Sequence, residues 1–182
     1  MVKRNACFSV FLAAYTVGVS YSRACGLELS ATDRQAEGEP LTSTSAETMR
    51  SLFDRWEQVW HEGRYDLVPS CIGPTYIRHD EAGDRTVTRE AYTAEIAKIR
   101  EERPNIRVVV YDHSFEGDRA WFRFAFKWPD PKTGEPRSRA GMQSYRIEAG
   151  KLAETWLMLL PLGSAWTDAV AQEHWTSPPP IK

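Results

Sequence analysis

Residues 105–128, NIRVVVYDHSFEGDRAWFRFAFKW, decide how the rest of the chain is read. Before Pro104 the apolar side chains recur at helical spacing; after it they alternate, which is the period of a half-buried strand. Gly117-Asp118 interrupts the run at its middle, so the stretch predicts two antiparallel strands joined by a two-residue turn. Such a turn pairs Phe115 with Ala120, His113 with Phe122, Tyr111 with Phe124 and Val109 with Phe126 on one apolar face. Asp112 with Arg123, Ser114 with Trp121 and Val108 with Lys127 then form the opposite face, a solvent or subunit-contact surface.

Downstream of the Pro/Gly-rich loop PDPKTGEPR, residues 141–156, GMQSYRIEAGKLAETW, repeat the pattern around Ala149-Gly150. A two-residue turn there pairs Ile147 with Leu152, Tyr145 with Glu154, Gln143 with Trp156 and Gly141 with Met158 on one face. Polar groups and rings share that face, which reads as the lining of a chamber. The last strand ends at Pro161, one helical turn is expected around Trp166, and residues 171–182 read as an extended tail.

Upstream the signals are helical. Thr44-Ser45-Ala46-Glu47 has capping-box spacing, and Met49, Leu52, Phe53, Trp56, Val59 and Trp60 form one apolar stripe before Gly63 ends the helix. A short helical turn over Tyr65 to Cys71, a strand TYIRH (75–79) and a polar loop DEAGDR follow. Thr88 caps a further helix, with Tyr92, Ile96 and Ile99 inward, until Pro104 stops it. Helices gathered first and strands last predict an α+β layer pair with a mostly antiparallel sheet over residues 44–170. Trp56 and Trp60 from the first helix would meet Phe122, Phe124, Phe126, Tyr145 and Trp156 from the sheet in a strongly aromatic interior.

The 182-residue chain carries 23 basic and 25 acidic side chains. Lys3 and Arg4 precede an apolar run from Ala6 to Val19, and Ser22-Arg23-Ala24 places small residues at both positions of a cleavage site, so residues 1–24 read as a secretory signal. The run is shorter than the ~20 residues of a membrane span, so no integral span is expected after processing. Cys25 follows directly, but Ser22 and Arg23 stand where lipid-modified starts carry Leu and a small residue, so plain secretory or periplasmic export is the reading. Cleavage removes Lys3, Arg4 and Arg23, leaving 20 basic against 25 acidic groups and a net charge of −5. That balance excludes a nucleic-acid footprint. Residues 25–43 are polar and aperiodic and read as a flexible linker. Cys25 and Cys71 have no metal-knuckle spacing; Cys71 reads as a small buried apolar group, with a bond to Cys25 left open.

Several short motifs carry a resemblance. Arg89-Glu90-Ala91 at a helix start, Pro104-Asn105, Gly117-Asp118-Arg119 at a hairpin, and Arg146 through Gly150-Lys151-Leu152 to Glu154 and Trp156 resemble the SnoaL-like polyketide-cyclase branch of the NTF2-like superfamily, over about residues 46–162. The resemblance implies three N-terminal helices packed on a strongly curved sheet, a cone with an apolar pocket, and dimerisation through the outer sheet face. It also implies that any chemistry depends on acids placed in the cone, where desolvation tunes their proton affinity. Ketosteroid-isomerase-like members carry their base in a Glu-Asp-Pro-like motif after the first strand; Asp80 occupies a similar place, with His79 before it and Glu81 where proline would stand. Cyclase-like members place an Asp three residues ahead of the Arg in the closing hairpin. This chain has Gln143 there, and an amide exchanges no proton at neutral pH.

Two functions follow as expectations. In the first, the cone binds a small apolar molecule, lined by Trp56, Trp60, Tyr111, His113, Phe122, Phe124, Gln143, Tyr145, Trp156 and Met158, without established catalysis. In the second, a cofactor-free isomerase or cyclase-type enzyme uses Asp80 or Glu154 to abstract a proton next to a carbonyl, with His79, Gln143 or Tyr145 stabilising the enolate oxygen. Neither reading implies a metal or an organic cofactor. The missing acid at Gln143 favours binding.

Overall fold

The structure, a computed structural model, describes residues 45–167, 170–178 and 180. The signal, linker and Cys25 readings lie outside the described residues. In chain order the elements are α1 (Ala46–Glu62), a 3₁₀ turn (Tyr65–Leu67), α2 (Val68–Cys71), β1 (Ile72–Asp80), β2 (Gly83–Thr88), α3 (Arg89–Glu102), β3 (Arg107–Glu116), β4 (Arg119–Pro129), β5 (Pro136–Glu148) and β6 (Lys151–Leu159). The strands form one mixed sheet in the order β2-β1-β6-β5-β4-β3, with β1 and β6 parallel and every other neighbour antiparallel. Three helices packed on an open six-stranded sheet make this an α+β arrangement.

The caps fall close to where the residues ask for them. Ser45, one residue later than the expected start, accepts the Thr48 N–H at 3.1 Å, and Gly63 closes α1 with φ 73°. Thr88 accepts the Ala91 N–H at 3.1 Å and opens α3. All six stripe residues of α1 are buried. Phe53 sits at their centre, its ring 4.6 Å from Phe122, 5.1 Å from Tyr145 and 5.6 Å from Phe115. The two rings that meet Phe53 edge-on have the geometry aromatic quadrupoles favour. Cys71 is buried as expected.

Both hairpins begin in the expected register and then leave it at a bulge. Ile147 pairs with Leu152, as the Ala149-Gly150 turn requires, but the ladder shifts before Arg146, which faces Glu154. Tyr145 therefore pairs with Thr155, Gln143 with Leu157 and Gly141 with Leu159, in place of Glu154, Trp156 and Met158. A one-residue slip sends each side chain to the other face, so Glu154, Trp156 and Met158 point away from the core. In the other hairpin, Asp112/Arg123, His113/Phe122, Ser114/Trp121 and Phe115/Ala120 pair as expected, while past Tyr111 the partners become Val110/Phe124, Val109/Ala125, Val108/Phe126 and Arg107/Lys127. Tyr111 leaves the main core as a result and joins Ala125, Ala140, Val109 and Trp166 in a separate small cluster.

Two segments differ from expectation. Part of DEAGDR is not loop, because Gly83–Thr88 forms the edge strand β2 on β1. The described residues after β6 are docked on the sheet and α1. Among the described residues no helix forms around Trp166, whose Nε1–H donates to the Phe124 carbonyl at 2.8 Å. Gln172 N–H donates to the Val110 carbonyl at 2.8 Å and Trp175 Nε1–H to the Val108 carbonyl at 2.8 Å. Trp175 is buried in the main core, and its backbone N–H donates to Glu57 of α1 at 3.1 Å. Residues 170–178 are thus a strap across edge strand β3 and α1. Among the described residues, no helix is long and apolar enough to cross a membrane.

Candidate functional site

The inner face of β1 carries Tyr76, Arg78 and Asp80 at alternate positions, which the strand period sends to one side. Tyr76 is fully buried and Arg78 is 6% exposed. The Arg78 guanidinium lies 4.2 Å from the ring centroid of Tyr92, on α3, and its Nη2 donates to Asp80 Oδ2 at 2.7 Å. Asp80 also takes Arg85 Nη2 at 3.3 Å and the Ala82 N–H at 2.9 Å, and Arg85 continues to Glu95 of α3 at 2.6 Å. A line of alternating charge therefore runs from the interior to the surface between β1, β2 and α3. Burial acts to raise the Asp80 carboxyl, but Arg78, the Ala82 N–H and Arg85 outweigh it and hold the group below the usual carboxylate range.

Among the described residues, two polar atoms in this interior, Tyr76 Oη and Arg78 Nη1, make no hydrogen bond of good geometry, although the Thr155 hydroxyl lies beside Tyr76 and the Tyr92 hydroxyl beside the Arg78 guanidinium. Around them stand Trp56, Tyr92, Tyr145 and Thr155, all buried. Burial pushes the Tyr76, Tyr92 and Tyr145 hydroxyls above the ordinary tyrosine range, so each remains a neutral donor at physiological pH. A buried donor left unpaired costs roughly 1–3 kcal/mol, so two together mark a place where an acceptor oxygen belongs.

The outer face holds the second cluster. His79, Trp121, Met142, Gln143, Ser144, Trp156, Leu157 and Met158 line a cleft of about 300 Å³. The His79 ring lies flat on Trp156, with centroids 5.0 Å apart and 7° between planes. Its Nε2 is 2.9 Å from Glu154 and its Nδ1 is 2.8 Å from Asp84, and Arg146 Nε reaches the other Glu154 oxygen at 2.9 Å. The two carboxylates hold His79 above the ordinary histidine range, and His79 with Arg146 holds Glu154 below the carboxylate range.

The expected site residues therefore divide among five places. Trp56, Trp60, Phe122, Phe124 and Tyr145 are in the core. Asp80 belongs to the interior charge line. His79, Trp156 and Met158 meet at the outer cleft, with Glu154 bonded to His79 beside it, while Gln143, which borders that cleft, turns its amide to the buried Thr155 hydroxyl at 2.9 Å. Tyr111 stands in the small outer cluster, and His113 faces the strap, its Nδ1 3.2 Å from Gln172 Oε1, with burial pulling it below the ordinary range. Asp80 and Glu154 do not reach one common cavity, and each is paired. Arg78 and Tyr76 escaped the sequence reading, although their i, i+2 spacing to Asp80 on TYIRHD places all three on one face. Among the described residues, no group of three or more His, Cys, Asp or Glu side chains is placed to hold a metal ion.

Comparison with known proteins agrees with this architecture. The SnoaL-like domain family matches residues 53–155, and the chain belongs to that family. TsrD from Streptomyces laurentii is similar in structure at 21% identity, with 63% of this chain and 90% of that chain covered and a TM-score of 0.55. A SnoaL-like polyketide cyclase from Agrobacterium tumefaciens aligns at 13% identity over 62% of this chain and 91% of its own, TM-score 0.54. An NTF2-like protein from Anabaena variabilis aligns at 12% identity over 74% and 98%, TM-score 0.54. At such identities the likeness is one of fold. No curated protein matches the sequence.

Proposed function

We propose that this SnoaL-like domain is an exported small-molecule binder that holds a largely apolar ligand in the cone by one oxygen, and that it catalyses no reaction there. The observation that carries the reading is that two buried donors set among aromatic side chains, Tyr76 Oη and Arg78 Nη1, make no hydrogen bond of good geometry among the described residues. A carbonyl or phenol oxygen satisfies both, and rings of Trp56, Tyr92 and Tyr145 suit an apolar body. Among the described residues, no surface cleft is lined by these side chains, so seating the ligand requires core rings to move aside. The binding reading stands above the enzyme reading because Asp80 and Glu154 are both paired and both held below the usual range, which makes them weak bases.

The test is calorimetric titration of the mature protein with 1-acetonaphthone, an apolar bicycle with one carbonyl, beside 1-ethylnaphthalene, which has the same shape without the oxygen. Saturable binding of the ketone, weakened about tenfold by Tyr76→Phe, is expected. Equal binding of the hydrocarbon, or no binding of either, overturns the reading.

A second reading concerns assembly. The outer face exposes Trp156, Met158, Leu160 and Leu162, with Trp156 and Leu160 each 37% exposed and Met158 and Leu162 each 64% exposed. That patch supports a homodimer formed through this face. The sequence of residues 1–24 supports export, and N-terminal sequencing of the mature protein, expected to begin at Cys25, is its measurement.

A further inference from the structure

At the end of the sheet remote from the Gly117 and Gly150 turns, the start of β3, the end of β4 and the start of β5 enclose a cleft of about 550 Å³. Its walls include Arg107, Lys127, Trp128, Pro129, Pro136 and Arg137. Among the described residues, no lining side chain is acidic, in a chain whose acids outnumber its bases 25 to 23. Three cations therefore converge where the average surface would supply as many carboxylates.

The partners of those cations separate structural charges from available ones. Arg137 is engaged, since its Nη2 lies 3.2 Å from Asp130 Oδ2. Asp130 is itself committed, its other oxygen accepting the Lys132 and Thr133 N–H groups at 2.9 and 3.1 Å. Arg107 and Lys127 form no ion pair among the described residues, and Lys127 Nζ rests 5.6 Å from the Tyr111 ring centroid. Arg103, also without an ion pair among the described residues, lies 5.1 Å from the centroid of Trp128. That stack adds positive charge behind the aromatic wall. Pro129, Pro136 and the Trp128 ring give the cleft a stiff apolar lining, and its volume is within the range of small-ligand sites.

We infer that this cleft is a second small-molecule site, separate from the cone interior, and that it takes a flat apolar body bearing one carboxylate or sulfonate. The anion sits between Arg107 and Lys127, where both charges act on it through a cleft that concentrates their field. The ring lies against Trp128 and the two prolines. The neutral oxygen sought by Tyr76 and Arg78 is a different ligand chemistry, so the two sites fail or stand independently.

The experiment titrates the mature protein with 1-naphthoate and with 1-naphthamide, its uncharged isostere, by calorimetry and by the Trp indole N–H signals in ¹H–¹⁵N spectra. Saturable naphthoate binding that moves the Trp128 indole signal is expected, about tenfold weaker for the amide and about tenfold weaker in Arg107→Gln/Lys127→Gln. Both substitutions are at exposed positions, and unchanged spectra elsewhere report an intact fold. Absence of saturable binding, equal affinity for the amide, or full affinity in the double variant overturns the inference. Loss of naphthoate binding in Tyr76→Phe with full binding in Arg107→Gln/Lys127→Gln places the ligand in the cone and overturns it as well.

Discussion

His79 stacks on Trp156 at 5.0 Å and bonds Glu154 at 2.9 Å, so two residues read from the sequence as catalytic form an ion pair on the outside of the sheet. In the folded chain this histidine is held above its ordinary range. A group whose pKa rises on folding stabilises the fold fully below its unfolded value, about 6.5. That contribution disappears as pH rises through the folded value. An NMR titration of the His79 ring is expected to show a pKa above 6.5, returning toward it in Glu154→Gln.

Arg78 is the cation on which the interior charge line depends. Arg78→Met removes the main partner of Asp80 and leaves that carboxylate, 9% exposed, with only the Ala82 N–H at 2.9 Å and the longer contact to Arg85 at 3.3 Å. A loss of about 3 kcal/mol in urea unfolding at neutral pH is expected. In the wild type, the lowered Asp80 contributes stability that is present above its unfolded pKa and is lost as pH falls through the folded one. The deficit of the variant is therefore expected to shrink at low pH.

Trp175 ties the strap to the core. Trp175→Ala removes a side chain that is 4% exposed and the hydrogen bond to Val108. A destabilisation of about 3–5 kcal/mol is expected from the urea midpoint.

Gly141 has no room for a side chain. A Cβ there would lie 2.8 Å from both the Leu159 side chain and the Met158 carbonyl oxygen, and 3.1 Å from Phe124. Gly141→Ala is expected to cost about 1–3 kcal/mol, read from the same unfolding curves.

The outer face is tested by charge. Met158→Glu is expected to leave the monomer folded, since the side chain is 64% exposed, and to shift a dimer to monomer in sedimentation velocity. A wild-type chain that sediments as a monomer at micromolar concentration sinks the dimer reading.

Much of this architecture was legible because it follows from local rules. The stripe from Met49 to Trp60, the cap at Thr88 and the turn at Ala149-Gly150 depend on neighbours in sequence. The bulges at Tyr111 and before Arg146 do not, since they answer to sheet curvature, and they carried Glu154, Trp156, Met158 and Tyr111 out of the interior. Strand β2 was invisible for another reason: its side chains show no apolar alternation, and only backbone pairing to β1 makes it a strand. Arg78 went unseen because an arginine on a strand is read by default as exposed, and its burial depends on Tyr92 and Asp80 arriving from elsewhere.

The parallel contact of β1 with β6 sets the order in which this chain can become native. As the chain emerges, Ile72 to Asp80 have only the exposed edge β2 as a strand neighbour until residues 151–159 have been made, roughly eighty positions later. The nucleus that closes the sheet must therefore bring distant segments together, which makes for high contact order and slow refolding, in milliseconds to seconds rather than microseconds. Until then the β1–β2 pair and the β3–β4–β5 meander are two separate pieces of sheet, and β6 is the strand that welds them into one.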